Sequence, residues 1–326
     1  MKAIVCRRPG RPDVLELEEV DKPSIAEDGV LVRVHASSIN PVDFFPLSRV
    51  AYTARLLSGR FKAKPVVLGT DFAGTVESVG KSVTEFKPGD EVFGGKDRST
   101  FAEYVSIPAR GAVVAKPANV TFEQAAAVPV AAVTALQALR DHGRVRQGQK
   151  VMINGASGGV GSFAVQIAKA FGAHVTAVCS TRNVETARAL GADTVIDYTR
   201  EDFTRSGESY DLMIDIAGNH SWSECKRVLA PTGIMVAAGG SAHTVWGGNS
   251  TIRHLIGVRL ASLRGARKVA FFIAKLNKAD LLLLQKLLVE GTITPVIDRC
   301  YDLNRVPEAF NYMGEGHAKG KIIINV

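Results

Sequence analysis

The chain has 326 residues, about two domains at roughly 150 residues each. A hydrophobic share of 46% and a charged share of 22% exclude a disordered chain, and four cysteines with no C-x-x-C pair exclude a disulfide scaffold and a zinc knuckle. The 40 Lys and Arg against 32 Asp and Glu leave a net charge of +8, which nucleic acid, an anionic membrane or a phosphorylated cofactor would attract.

Met1 to Cys6 runs directly into Arg7-Arg8-Pro9-Gly10, too short an apolar stretch for a signal peptide. The richest apolar segment, Leu281 to Val289, is broken by Gln285 and Lys286 and falls short of the ~20 residues of a membrane span. A soluble, cytoplasmic protein is expected, with Cys6, Cys179, Cys225 and Cys300 as reduced thiols. The N-terminal part reads as β-rich. Val30 to Ala36 alternates, with Arg33 and His35 turned away from the valines, as in a half-buried strand. Phe72 to Gly80 is a second strand, and Lys87-Pro88-Gly89-Asp90 is a tight turn into a third, Glu91 to Phe93. Short strands between Pro and Gly turns predict a compact, barrel-like β domain over residues 1–123.

From Phe122 the texture changes. Glu123 to Leu139 reads as alanine-rich helix interrupted at Pro129, and strands and helices then alternate over residues 124–258. Strands are expected at Lys150 to Asn154, His174 to Ser180, Thr194 to Asp197, Tyr210 to Ile216 and Ile234 to Ala238, with helices at Gly159 to Phe171 and Val184 to Leu190. That alternation implies right-handed βαβ crossovers and a doubly wound parallel sheet, an α/β domain. A basic, apolar stretch, Arg259 to Lys278, leads to a helix from Ala279 to Glu290. Strand-like ends follow at Thr294 to Ile297 and Lys321 to Val326; having no sheet of their own, they are expected to return to the first domain, so that residues 259–326 complete it.

The sharpest motif is Asn154-Gly155-Ala156-Ser157-Gly158-Gly159-Val160-Gly161, placed between a predicted strand and a predicted helix. Glycines there let the backbone approach a pyrophosphate, and the free N–H groups of the helix start bind its charge. An NAD site would carry Asp or Glu at the end of the next strand to hold the ribose 2′-hydroxyl. Here that strand ends in Ser180-Thr181-Arg182-Asn183, and no carboxylate follows until Glu185. Two hydroxyls and a guanidinium suit a 2′-phosphate, so the expected cofactor is NADPH.

These residues resemble a medium-chain dehydrogenase/reductase, and within it the zinc-independent quinone oxidoreductase branch of zeta-crystallin-like and enone-reductase proteins. The resemblance is carried by Ala36 to Asp43, Leu68 to Gly74, Lys87 to Val92, Phe101 to Tyr104, Ala126 to Pro129, the glycine loop and Gly320-Lys321. It implies a Rossmann domain inserted into a split, mainly β GroES-like domain. It further implies that Ser157, Gly159 and Val160 contact the pyrophosphate and that Ser180, Arg182 and Tyr198 surround the 2′-phosphate. Thr134 and the Gly239-Gly240 turn are implied near the nicotinamide end, and the family's habit implies a homodimer.

Zinc-dependent relatives carry Cys and His where this chain has Asn40 and Thr70, and an amide and a hydroxyl are poor ligands for Zn²⁺. The resemblance therefore implies no metal. Without a Lewis acid, substrates that accept hydride readily at carbon are favoured: quinones and conjugated enones. The developing enolate oxygen then needs a hydrogen-bond donor. Asn40 is implied as that donor, and Asp43 as a residue holding the loop. Tyr52 is the candidate proton donor, in a segment, Phe44 to Lys64, that is longer and more basic than is usual in the family.

The rival readings are a zinc-type alcohol dehydrogenase and a non-catalytic NADPH-binding protein. The latter would dock on nucleic acid or a membrane surface through Arg253, Arg259, Arg264, Arg267, Lys268, Lys275 and Lys278. The enzyme reading expects no nucleic-acid partner and at most a peripheral membrane contact.

Overall fold

The computed structural model describes residues 1–48, 65–238 and 268–326. The chain opens with β1 (Lys2–Cys6), β2 (Leu15–Glu19) and β3 (Gly29–Ser38), then a 3-10 turn over Pro41–Leu47. It continues through β4 (Val66–Val67), β5 (Asp71–Val79), β6 (Glu91–Gly95), β7 (Tyr104–Pro108) and β8 (Val113–Ala115). In β3 the alternation holds: Arg33 is exposed and His35 half-buried between buried valines. Val30, Val32 and Val34 pack with Phe72, Val76, Val92 and Val105 into one apolar core.

Helix α1 (Phe122–Ala126) is capped by Thr121, whose hydroxyl accepts from the Gln124 N–H while Gln124 Oε1 accepts from the Thr121 N–H. Pro129 starts a separate helix, α2 (Pro129–Gln137), because a proline supplies no N–H to continue the first. There follow β9 (Lys150–Asn154), α3 (Gly159–Ala170), β10 (His174–Cys179), α4 (Val184–Ala189), β11 (Thr194–Asp197), β12 (Tyr210–Asp215), β13 (Leu229–Ala237) and β14 (Lys268–Phe271). These six strands all pair in parallel, in the order β11-β10-β9-β12-β13-β14. This is the doubly wound arrangement, with strand order reversing beside β9. Strand β13 begins five residues before the Ile234 expected, with a register shift against β12. The β14 strand lies inside the stretch read only as basic and apolar.

The chain ends with α5 (Lys278–Val289), β15 (Ile297–Asp302), α6 (Val306–Gly314) and β16 (Lys321–Asn325). The strand expected over Thr294 to Ile297 does not form, and Ile297 instead opens β15. The Thr294 backbone is held by the Gln166 amide, N–H to Oε1 at 2.7 Å and Nε2 to carbonyl at 3.0 Å, and Pro295 has no N–H for a ladder. β15 pairs in parallel with β16, and β16 runs antiparallel to β3, with Ile323, Ile324 and Asn325 opposite Ser38, Ser37 and Ala36. The C-terminal strands do return to the N-terminal sheet.

Two compact units result, Met1–Val130 with Leu276–Gly291 and Pro295–Val326, and Ala131–Lys275 with Thr292–Thr294. Their limits fall later than the divisions after residues 123 and 258 drawn from the sequence. α1 packs on β3 and β5, which binds it to the first unit, and β14 completes the parallel sheet of the second.

Candidate functional site

The second unit presents the glycine loop at the carboxyl end of β9. Gly155 adopts φ +89°, and its N–H and that of Ala156 bond to the Val178 carbonyl at 3.2 and 3.0 Å, which fixes the loop against β10. A side chain at Gly161 would collide with the Gly155 carbonyl, so glycine there lets helix and loop touch. Gly158 differs: among the described residues a Cβ would meet only the Gly155 oxygen, at 3.7 Å, so its bareness serves no packing among them. Among the described residues no side chain caps α3, and no acidic residue lies in its first turn. Ser157, Gly158, Gly159 and Val160 are half-buried and Gly161 is buried. Uncapped N–H groups over a bare glycine surface fit a dinucleotide pyrophosphate.

The turn after β10 sits beside this loop in the sheet order. Ser180 is half-buried, Thr181 and Arg182 are exposed, and Tyr198 is 53% exposed at the end of β11. Thr181 Oγ1 donates to Asp197 Oδ2 at 2.6 Å, and Asn183 Nδ2 donates to Ser180 Oγ at 3.2 Å. The Thr181 proton is thus given to a carboxylate that its hydrogen bonds with Thr181 and Thr199 hold below the usual range. Of the three turn residues, Ser180 keeps its own O–H to donate, and Arg182 stands at the surface. A cavity of about 340 Å³ lies beyond, lined by Tyr198, Arg200, Asn219 and His220 among others.

Sequence reasoning passed over a polar group at the point where the strand order reverses. Asn154 Nδ2 donates to Asp215 Oδ1 and to Asn219 Oδ1, both at 2.9 Å, and the Gly218 N–H joins Asp215 Oδ1 at 3.0 Å. The signal was available: a polar residue ending each of two adjacent apolar strands, β9 and β12. Thr134 lies half-buried in α2. Tyr52, Gly239 and Gly240 lie outside the described residues, as do Arg253, Arg259, Arg264 and Arg267. Lys278 is engaged: it pairs with Glu85 at 2.5 Å and donates to the Ala109 carbonyl at 2.9 Å.

The first unit buries a polar cluster drawn from four chain segments. Pro41 starts the 3-10 turn, and Asn40, just before it, is extended at φ −130°, ψ 156°. The Asn40 N–H donates to Asp43 Oδ2 at 2.8 Å, and the Asp43 N–H returns to the Asn40 carbonyl at 3.0 Å. Asp43 therefore holds the turn. Its other oxygen, Oδ1, accepts from Thr70 Oγ1 at 2.8 Å. The Asn40 amide donates to Asp71 Oδ2 at 2.8 Å and to the Ser38 carbonyl at 3.3 Å, while its oxygen accepts from Lys321 Nζ at 2.5 Å. Asp71 also receives Ser38 Oγ at 2.7 Å and the Val130 N–H at 2.9 Å, and stands 3.5 Å from the Lys321 ammonium.

Asn40, then, has both amide hydrogens engaged, the one on Ser38 by a long bond. Burial pushes the Asp43 carboxyl up to about 7, against the opposing pull of its bonds from Thr70 and Asn40, and with a smaller push from Asp71. Burial likewise lowers the Lys321 ammonium, although Asp71 and Asp43 act to raise it. Lys321, unremarked beyond its Gly320-Lys321 motif, is the cation of the cluster. Its ammonium, an amide and a hydroxyl are no donor set for zinc. Among the described residues no three His, Cys, Asp or Glu side chains stand together as a metal site, and no helix is long and apolar enough to cross a membrane.

Comparison with known proteins agrees with this anatomy. Residues 26–118 match the alcohol dehydrogenase GroES-like domain, and residues 190–324 match the family described as zinc-binding dehydrogenase. The mitochondrial NAD(P)H oxidoreductase RTN4IP1 of Mus musculus is 36% identical over 91% of this chain and 81% of its own. The chloroplastic NADPH-dependent alkenal/one oxidoreductase of Arabidopsis thaliana is 34% identical over 99% of this chain and 79% of its own. Among solved structures, the quinone oxidoreductase from Coxiella burnetii superposes with a TM-score of 0.85, at 31% identity, over 100% of this chain and 99% of that one. The chain belongs to the zinc-independent quinone oxidoreductase branch of the medium-chain dehydrogenase/reductase superfamily. It is an oxidoreductase, built from a Rossmann unit and a GroES-like unit.

Proposed function

We propose that this oxidoreductase uses NADPH to transfer hydride to a quinone or to an α,β-unsaturated ketone or aldehyde, without a catalytic metal. The observation that carries the reading is the uncapped start of α3 over bare glycine, followed by a strand end that bears Ser180 and Arg182 and no carboxylate. Gly155, Ser157, Gly158, Gly159, Val160 and Gly161 hold the pyrophosphate; Ser180, Thr181, Arg182 and Tyr198 surround the 2′-phosphate. Thr134, Gly239 and Gly240 serve the nicotinamide end. The bound nicotinamide supplies the hydride. In the polar cluster, the Asn40 N–H now on the Ser38 carbonyl, at 3.3 Å, is the one most readily turned to a developing enolate oxygen. The relatives' names, an alkenal/one and a quinone oxidoreductase, support the substrate class.

The working state is a homodimer in a reducing, cytoplasm-like compartment, with no nucleic-acid partner. Support for the dimer comes from β14, which pairs only with β13 among the described residues and whose Phe271 is 43% exposed, with Ile273, 81% exposed, just beyond it. The involvement of Lys278 with Glu85 weighs against a basic docking face, and so against a membrane contact. The test is NADPH and NADH oxidation against a panel of 1,4-naphthoquinone, long-chain enones and simple alcohols, with and without chelator. NADPH-linked turnover of a quinone or enone that chelator leaves unchanged is expected; no turnover with any member sinks the reading.

A further inference from the structure

We propose that Thr70 and Asp43 form a proton relay that supplies the proton completing reduction at this site, with Thr70 as the group that meets the substrate. The proposal rests on the hydride-transfer reading above. It starts from the direction of the hydrogen bonds. Asp43 Oδ2 faces a backbone N–H, that of Asn40, which can only donate. A proton taken up by Asp43 therefore sits on Oδ1, against Thr70 Oγ1 at 2.8 Å. A hydroxyl can both give and accept, so protonation reverses this bond: Asp43 then donates to Thr70, and the Thr70 hydrogen is released toward another acceptor. The pair has two states that differ by one proton, and they require no movement of the backbone.

The surrounding charges make the second state accessible. Asp71, from β5, and Lys321, from β16, are the charged groups facing Asp43. Lys321 directs its bonds to Asn40, the Ile39 carbonyl and Asp71, and among the described residues no cation forms an ion pair with Asp43. Two buried carboxylates thus share one buried ammonium, and a proton on Asp43 leaves the cluster neutral. The carboxyl, pushed up to about 7 by burial, is poised between its forms near neutrality. Thr70 is the least buried member of the cluster. It is 7% exposed, against 4% for Asp43, 3% for Lys321, 2% for Asn40 and 0% for Asp71.

A hydride accepted at the β-carbon of a conjugated enone, which a bound nicotinamide would supply, forms the new C–H bond there and moves the C=C electron pair into an enolate. The Thr70 O–H bond breaks toward the enolate α-carbon as the Asp43 Oδ1–H bond breaks toward Thr70 Oγ. The products are a saturated ketone, an oxidised nicotinamide and an Asp43 carboxylate, which regains its proton from water.

The test combines a titration of the ligand-free protein with kinetics. Infrared difference spectra of the wild type should show a carboxyl titrating near pH 7 that is missing from Asp43→Asn; its absence from the wild type overturns the proposal. Asp43→Asn preserves the reversed bond, since its amide can donate to Thr70, but has no proton to give. With NADPH and an enone, Asp43→Asn and Thr70→Val should each lower kcat by about 100-fold and flatten its pH profile near pH 7, with the KM for NADPH unchanged. Thr70→Ser should restore kcat to within about threefold of wild type and restore the pH profile, which separates the hydroxyl's role from packing. Thr70→Val with wild-type kcat and pH profile overturns the relay and leaves the reductase reading intact. A wild type inactive with every acceptor sinks that reading, while the titration still reports on the pair.

Discussion

The two polar regions of this chain are built on opposite plans. In the first unit every polar atom of Asn40 has a partner, and the cluster around it is almost fully buried. In the second, the start of α3 has no side-chain cap among the described residues, a Cβ on Gly158 would meet only the Gly155 oxygen among them, and Arg182 and Tyr198 stand at the surface. Buried charge is tolerated only when bonded, so the first region resists change and holds groups in place. Exposed donors cost little to leave in water, so the second can wait for an anion to replace it. Loss of a buried charge partner in the first should register as stability, and loss of an exposed group in the second as binding.

The largest effect is expected at Lys321. Lys321→Met strands Asp71 and the Asn40 oxygen, and urea denaturation should show a loss of about 3–5 kcal/mol, as for a broken buried ion pair. Adding Asp71→Asn should recover most of it; full stability of the single variant would break the contrast.

Asp43 adds a pH dependence of definite sign. Its carboxyl is raised in the folded protein from the ordinary 3.8 to about 7, so the folded state keeps a proton that the unfolded chain has lost. The resulting stabilisation is complete below about pH 4 and is lost as pH rises through about 7, at about 1.4 kcal/mol for each pH unit crossed. Measured against Asp43→Asn, the wild type should therefore lose a few kcal/mol between pH 4 and pH 7 and change little above it. Parallel stability curves for the two proteins would refute this.

The open region is tested by three alanines. Gly161→Ala forces a Cβ into the Gly155 carbonyl and should cost about 1–3 kcal/mol of stability in a thermal melt. Gly158→Ala brings its methyl group no closer than 3.7 Å to any described residue, so its Tm should stay within about 2 °C of wild type. NADPH binding, followed by fluorescence titration, should nevertheless weaken by roughly tenfold, because a methyl group stands where backbone and pyrophosphate approach. The smallest change in stability belongs to Arg182→Ala, with Tm unaltered. It should weaken NADPH by tenfold or more, about the worth of one charged hydrogen bond, and NADH by far less. Equal losses would point to Asp197 and the ribose hydroxyls instead.

Four strands of the parallel sheet, β9 to β12, could be read from the chain almost residue by residue. Apolar runs such as Val151 to Ile153 and Val175 to Val178 are buried on both faces, and their spacing leaves room for one helix between them. Elements governed by side chains distant in sequence could not be read so closely. Thr294 looks like a strand residue, yet Gln166 takes its backbone, 128 positions away. Lys268 to Phe271 carries no alternation and becomes a strand because β13 offers it a free edge.

The sequence by itself determined the glycine loop and the strand end with Arg182, since each is a local pattern whose chemistry follows from residue types in order, and its resemblance to the family put Asn40 and Thr70 at the zinc-ligand positions. The tertiary structure alone decided what Asn40, Asp43 and Thr70 do together. Residues 31 positions apart, Asn40 and Asp71, meet Lys321 from the far end of the chain only because β16 lies against β3. Proton affinity and hydrogen-bond direction depend on burial and on neighbouring charge, and no run of adjacent residues records either.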